Sequence, residues 1–85
     1  MRTVRFNAKI FEDLLEWNNE NPKMVSKILR LMIETARTPF EGTGKPEPLK
    51  YIKGAWSRRI TDKDRLVYFV SDEFIEIIGC KGHYE

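Results

Sequence analysis

A chain of 85 residues, 41% hydrophobic and 33% charged with a formal net charge of +2, has the composition of an ordinary globular protein. It is long enough for one modest core, so a single domain over residues 1–85 is expected. No apolar run approaches the roughly 20 residues of a membrane span, and the N-terminal MRTVRFNAK lacks the apolar centre of a secretory signal. Cys80 is the only cysteine, which excludes a disulfide framework and a thiolate metal site. The expectation is a cytoplasmic protein with no membrane partner.

In chain order, TVRF is predicted to be a short strand. Asn7 is placed to cap a helix whose apolar positions, Ile10, Phe11, Leu14, Leu15 and Trp17, recur at spacings of three and four. NENP ends that helix, with Asn21 as the cap of a second one and Pro22 in its first turn. Val25, Ile28, Leu29, Met32, Ile33 and Ala36 then form one apolar stripe, expected to pack into the core.

TPFEGTGKPEP, residues 38–48, holds three prolines and two glycines and is predicted to be a loop. Three strand candidates follow: AWSRRIT, RLVYFVS and FIEIIGC. The short connections TDKD and Asp72-Glu73 predict an antiparallel meander. The sum is an α+β fold: a short N-terminal strand, and two helices packed on one face of an antiparallel sheet. Alternation along the strands places Trp56, Arg58 and Ile60 on one side and Ser57 and Arg59 on the other. Each of the first two meander strands can thereby present an arginine on the face away from the helices.

Charge is unevenly spread. Residues 44–65 carry seven Lys or Arg against three acids, a net of +4, whereas residues 66–85 carry one against four. Such a block suits a polyanion, and equally a solvated loop and edge strand.

One histidine and one cysteine cannot build a zinc site, and GTGK neither follows a strand nor opens a helix, so it is no phosphate loop. No metal or cofactor is expected. A nucleophilic Cys80–His83 pair is conceivable, but Cys80 reads as core packing. The remaining set, Glu47, Lys50, Arg59, Arg65, His83 and Tyr84, suits RNA cleavage by the ribose 2′-hydroxyl. That reaction needs a base, an acid, and cations around the phosphorus. Residue types alone leave this open.

TPFEGTGKPEPLK, WSRRIT, RLVYFV and the HY at 83–84 resemble the YoeB/Txe type of toxin in the RelE/ParE superfamily. The resemblance implies a microbial-ribonuclease-like fold and a toxin that enters the 70S ribosome and cuts mRNA in the A site. It also implies inhibition by a YefM/Axe-like antitoxin, which alone reads operator DNA, and a possible homodimer. Carried over by motif, Glu47 is the general base, His83 the general acid, and Lys50, Arg59 and Arg65 phosphate contacts, with Arg65 catalytic. Tyr84 positions the mRNA. The chain departs from the pattern at Gly82, where an aromatic is frequent, and at Glu85, which follows the HY. The superfamily's other branch, which inhibits DNA gyrase by binding, is the alternative.

Overall fold

In the computed structural model, residues 1–82 are described. The elements are β1 (Thr3–Phe6), α1 (Ala8–Glu20), α2 (Lys23–Arg37), β2 (Glu47–Pro48), β3 (Ala55–Arg59), β4 (Arg65–Val70) and β5 (Phe74–Gly79). They form one five-stranded sheet in the order β1-β5-β4-β3-β2, with both helices packed on it. The expected α+β architecture and the β3–β4–β5 meander are both present. The sheet is mixed, however, because β1 pairs with β5 in parallel. The two helices between β1 and the meander return the chain to the same end of the sheet, so the first strand cannot run antiparallel to the last.

Local chemistry explains most boundaries. The Asn7 side chain accepts the Lys9 N–H at 3.0 Å and starts α1. Asn21 does not cap α2 with its side chain; its carbonyl accepts from Met24, and its own N–H closes α1 onto Trp17. In the β3–β4 turn the Thr61 hydroxyl accepts the Lys63 and Asp64 N–H groups and donates to Asp64 Oδ2. In the β4–β5 turn the Ser71 hydroxyl receives Glu73 and Phe74 in the same way.

The loop expected over 38–48 is not wholly irregular. Its last two residues pair with β3 as the short strand β2, Glu47 opposite Ser57 and Pro48 opposite Trp56. Proline tolerates this only because β2 is an edge.

The core joins Ile10 and Trp17 of α1 and Ile28, Leu31, Met32 and Ala36 of α2 to Leu66, Tyr68, Ile75, Ile77 and Cys80. The helical stripes are narrower than their sequence suggests: Phe11, Leu15, Leu29 and Ile33 are exposed. A helix in a single layer over a sheet buries only the arc facing the strands, and these residues sit on its flank. A bulge matters more. Val67 pairs with Gly79 but Tyr68 pairs with Ile77, so Ile78 is an additional residue on β5. It shifts the alternation by one, and Cys80 turns into the core alongside Ile75 and Ile77.

Candidate active site

The face of the sheet away from the helices gathers charge at one end. Arg59 and Arg65 lie directly opposite one another across β3 and β4, and Glu47 lies opposite Ser57 on the far side of β3. All four therefore share that face. Arg65 Nη1 stands 3.6 Å from Glu47 Oε1; the Arg65 side chain is largely buried at 17% exposure and the carboxylate is 62% exposed. Arg59 is exposed and its side chain has no ion pair among the described residues. Two guanidinium groups at directly opposed positions repel unless an anion lies between or beside them. Glu47 supplies part of that compensation and leaves room for more.

Lys50 lies beyond β2 in the exposed turn that leads to β3. That turn is closed by Leu49 N–H to Ala55 O and Ala55 N–H to Ile52 O. Lys50 has no hydrogen bond or ion pair among the described residues and is not drawn into the Glu47–Arg65 pair. His83 and Tyr84 lie outside the described residues.

The segment immediately before His83 is tightly held. The Trp17 indole N–H donates to the Cys80 carbonyl at 2.8 Å, and the Cys80 N–H donates to Asp13 Oδ2 at 3.3 Å. Lys81 Nζ sits 2.8 Å from Glu20 Oε2, a hydrogen bond that raises the lysine pKa. The Gly82 N–H donates to Asp64 Oδ1, and the Gly82 carbonyl accepts the Arg65 N–H at 2.9 Å. Residue 82 is thus pinned to the first residue of β4, the same Arg65 that meets Glu47.

The thiol of Cys80 takes no part in this chemistry. It is fully buried, and burial, with the nearby Asp13 carboxylate, pushes its pKa up to about 12. A thiol so protonated is a poor nucleophile. Among the described residues no three His, Cys, Asp or Glu side chains gather into a metal-binding group.

Sequence reasoning did not find a second cluster behind the first. Arg58, between Ser57 and Arg59, points to the helix side and its side chain is fully buried. It meets Glu34 Oε2 at 3.0 Å through Nη1, donates to the Thr38 and Glu41 carbonyls through Nη2, and donates to the Tyr68 hydroxyl through Nε. The Tyr68 hydroxyl donates onward to the Pro39 carbonyl at 2.6 Å; burial raises its pKa. Glu34 also accepts the Thr43 N–H at 2.6 Å and the Thr43 hydroxyl at 2.9 Å. The Thr43 N–H, then the hydroxyl and Arg58, hold the Glu34 carboxyl below its usual range against a smaller opposing effect of burial. The alternation that placed Arg58 with Trp56 and Ile60 was the available signal, since a cation on that face requires a buried partner.

Residues 6–84 match the model of a family described as YoeB-like toxin of bacterial type II toxin–antitoxin system. Toxin YoeB of Escherichia coli (strain K12) is 51% identical over 80 residues, covering 93% of this chain and 95% of that protein. The YoeB dimer from Staphylococcus aureus superposes with a TM-score of 0.85 at 42% identity, covering 98% of each chain. The toxin of the YoeB–YefM complex from the same organism gives 0.82 at 43% identity over 99% of each. With near-complete coverage in sequence and in fold, the chain belongs to the YoeB-like toxins of bacterial type II toxin–antitoxin systems.

Proposed function

We propose that this toxin is an endoribonuclease that enters the 70S ribosome and cuts mRNA at the A-site codon, stopping translation in the cytoplasm. The observation that carries the reading is the Arg59–Arg65 pair. Two opposed guanidinium groups, with one carboxylate 3.6 Å from Arg65, form an anion site with a base at its edge. A scissile phosphate fits such a site, since guanidinium groups bind phosphate oxygens through paired N–H donors.

In the proposed reaction Glu47 takes the proton of the ribose 2′-hydroxyl. The 2′-oxygen attacks phosphorus and the P–O5′ bond breaks. His83 donates a proton to the departing 5′-oxygen, and a 2′,3′-cyclic phosphate remains upstream. Arg65 and Arg59 stabilise the added charge on the equatorial oxygens. Lys50 contacts the backbone nearby, and Tyr84 stacks on or orients a base. The hold on Gly82 by Asp64 and Arg65 supports His83 as a member of this set, because it anchors the preceding residue at the site. Positioning carries much of the rate, with the ribosome supplying the in-line geometry.

By analogy with the Staphylococcus aureus proteins, the partners are a YefM-like antitoxin and a second copy of the chain. Operator DNA is reached only through the antitoxin. Primer extension on a defined mRNA, with and without 70S ribosomes stalled on a known codon, tests the reading. A cut inside the A-site codon that requires ribosomes and disappears in Arg65→Ala and His83→Ala is the expected result. Absence of any cut by folded wild-type protein would overturn it, and inhibition of supercoiling would then favour the gyrase alternative.

A further inference from the structure

We propose that Arg58 is a positioning residue. Through its clamp on Glu34 and the 38–44 loop, it sets where the Glu47 carboxylate stands relative to Arg65. The inference rests on reading Glu47 as the base.

Strand β2 cannot position Glu47 alone. It is two residues long, and Pro48 has no N–H to give the ladder. Something upstream must hold it. The loop from Thr38 to Gly44 is fastened at five of its seven residues: Thr38 and Glu41 by Arg58 Nη2, Pro39 by Tyr68, Thr43 by Glu34, and Gly44 by the Arg59 N–H at 2.7 Å. Gly44 lies three residues before Glu47, and three residues reach about 10 Å at full extension. The carboxylate thus takes its position from a loop that Arg58 organises.

The chain also makes room for the clamp. Gly42, at φ +115°, lies so close to Glu34 that a Cβ would collide with its carboxylate; one on Gly44, at φ +84°, would fall 2.7 Å from the Arg59 carbonyl oxygen. The two glycines of GTG are thus required for contact with the clamp on one side and the strand on the other.

Burying a guanidinium is costly, and a well-packed apolar side chain often serves stability as well or better. What an apolar residue cannot do is hold two loop carbonyls, a helix carboxylate and a strand hydroxyl in one plane. Lysine lacks that planar fork. Among the described residues, the Arg58 and Glu34 side chains make no hydrogen bond or ion pair with those of Glu47, Arg59 or Arg65.

The test is a double-mutant cycle on ribosome-dependent cleavage, with Arg58→Lys, Glu34→Gln, Glu47→Gln and each of the first two paired with Glu47→Gln, and Gly42→Ala as a further way to disturb the clamp. Thermal melting first establishes that each variant folds. Arg58→Lys, Glu34→Gln and Gly42→Ala are expected to lower kcat by about tenfold with little change in KM, and to cost less than about threefold further when Glu47 is already Gln. A general loss of stability would not vanish in that background. Equal losses in both backgrounds, or no loss, would overturn the proposal. Amide hydrogen exchange gives an arm independent of activity: Thr43 and Arg59 are expected to exchange about tenfold faster in Glu34→Gln, with Tyr68 and Ile75 unchanged. If wild-type protein cleaves nothing, the ribonuclease reading fails by itself. Unchanged exchange at Thr43 and Arg59 would then overturn the clamp separately.

Discussion

The indole nitrogen of Trp17 lies 2.8 Å from the carbonyl oxygen of Cys80, joining the middle of α1 to the residue just past β5. Sixty-three positions of sequence separate the two, and both are buried. The bond fixes the course of the chain toward Gly82 and the site. Trp17→Phe keeps the apolar ring and removes the donor, so the Cys80 carbonyl loses its partner. A loss of about 1–2 kcal/mol is expected by urea denaturation. A stability equal to wild type would show that the carbonyl finds another donor.

Asp13 makes the companion contact, accepting the Cys80 N–H while paired with Lys9 at 3.1 Å. Asp13→Ala leaves a buried amide unsatisfied and is expected to cost about 1–3 kcal/mol. Chemical denaturation measures it.

Thiol chemistry offers an independent check on the bulge in β5. With Ile78 as the additional residue, Cys80 faces inward and its pKa stands at about 12. Native protein is expected to resist a thiol-exchange reagent at pH 8 and to release one equivalent on unfolding. Prompt reaction in the native state would place the thiol outside the core.

The pH response of the loop follows from Glu34. Its carboxyl pKa is depressed in the fold from the ordinary value of 4.5, with the Thr43 N–H as the largest cause. A group stabilised in its charged form contributes above the unfolded value and loses that contribution as pH falls through the lower folded value. The stability difference between wild type and Glu34→Gln is therefore expected at neutral pH and to shrink steadily below about pH 4.5. Melting curves from pH 7 down to 3 read it. A difference independent of pH would assign the effect to packing.

For the proposed cleavage, Arg65→Ala and His83→Ala are expected to cost about 100-fold or more in rate. Lys50→Ala should cost markedly less, because Lys50 makes no ion pair with Glu47 among the described residues. Single-turnover assays on stalled ribosomes compare them, and equal losses for all three would count against this division of labour.

Much of this molecule was legible before its coordinates. Helix spacing, the Asn7 cap, the two hairpin turns and period-two alternation led to the α+β architecture and to an arginine from each of β3 and β4 on the face away from the helices, because each is a local signal within a few residues; the register that sets Arg59 opposite Arg65 is tertiary. The motif resemblance singled out Glu47. What the sequence left undetermined depended on contacts between distant segments. The parallel pairing of β1 with β5, the bulge that turns Cys80 inward, and the exposure of Leu29 and Ile33 are settled by how layers meet. So is the clamp of Arg58 on Glu34, 24 positions earlier. Local propensity decides which elements form; only packing decides which neighbours they find, and here it brings the carboxylate of Glu47 within reach of Arg65.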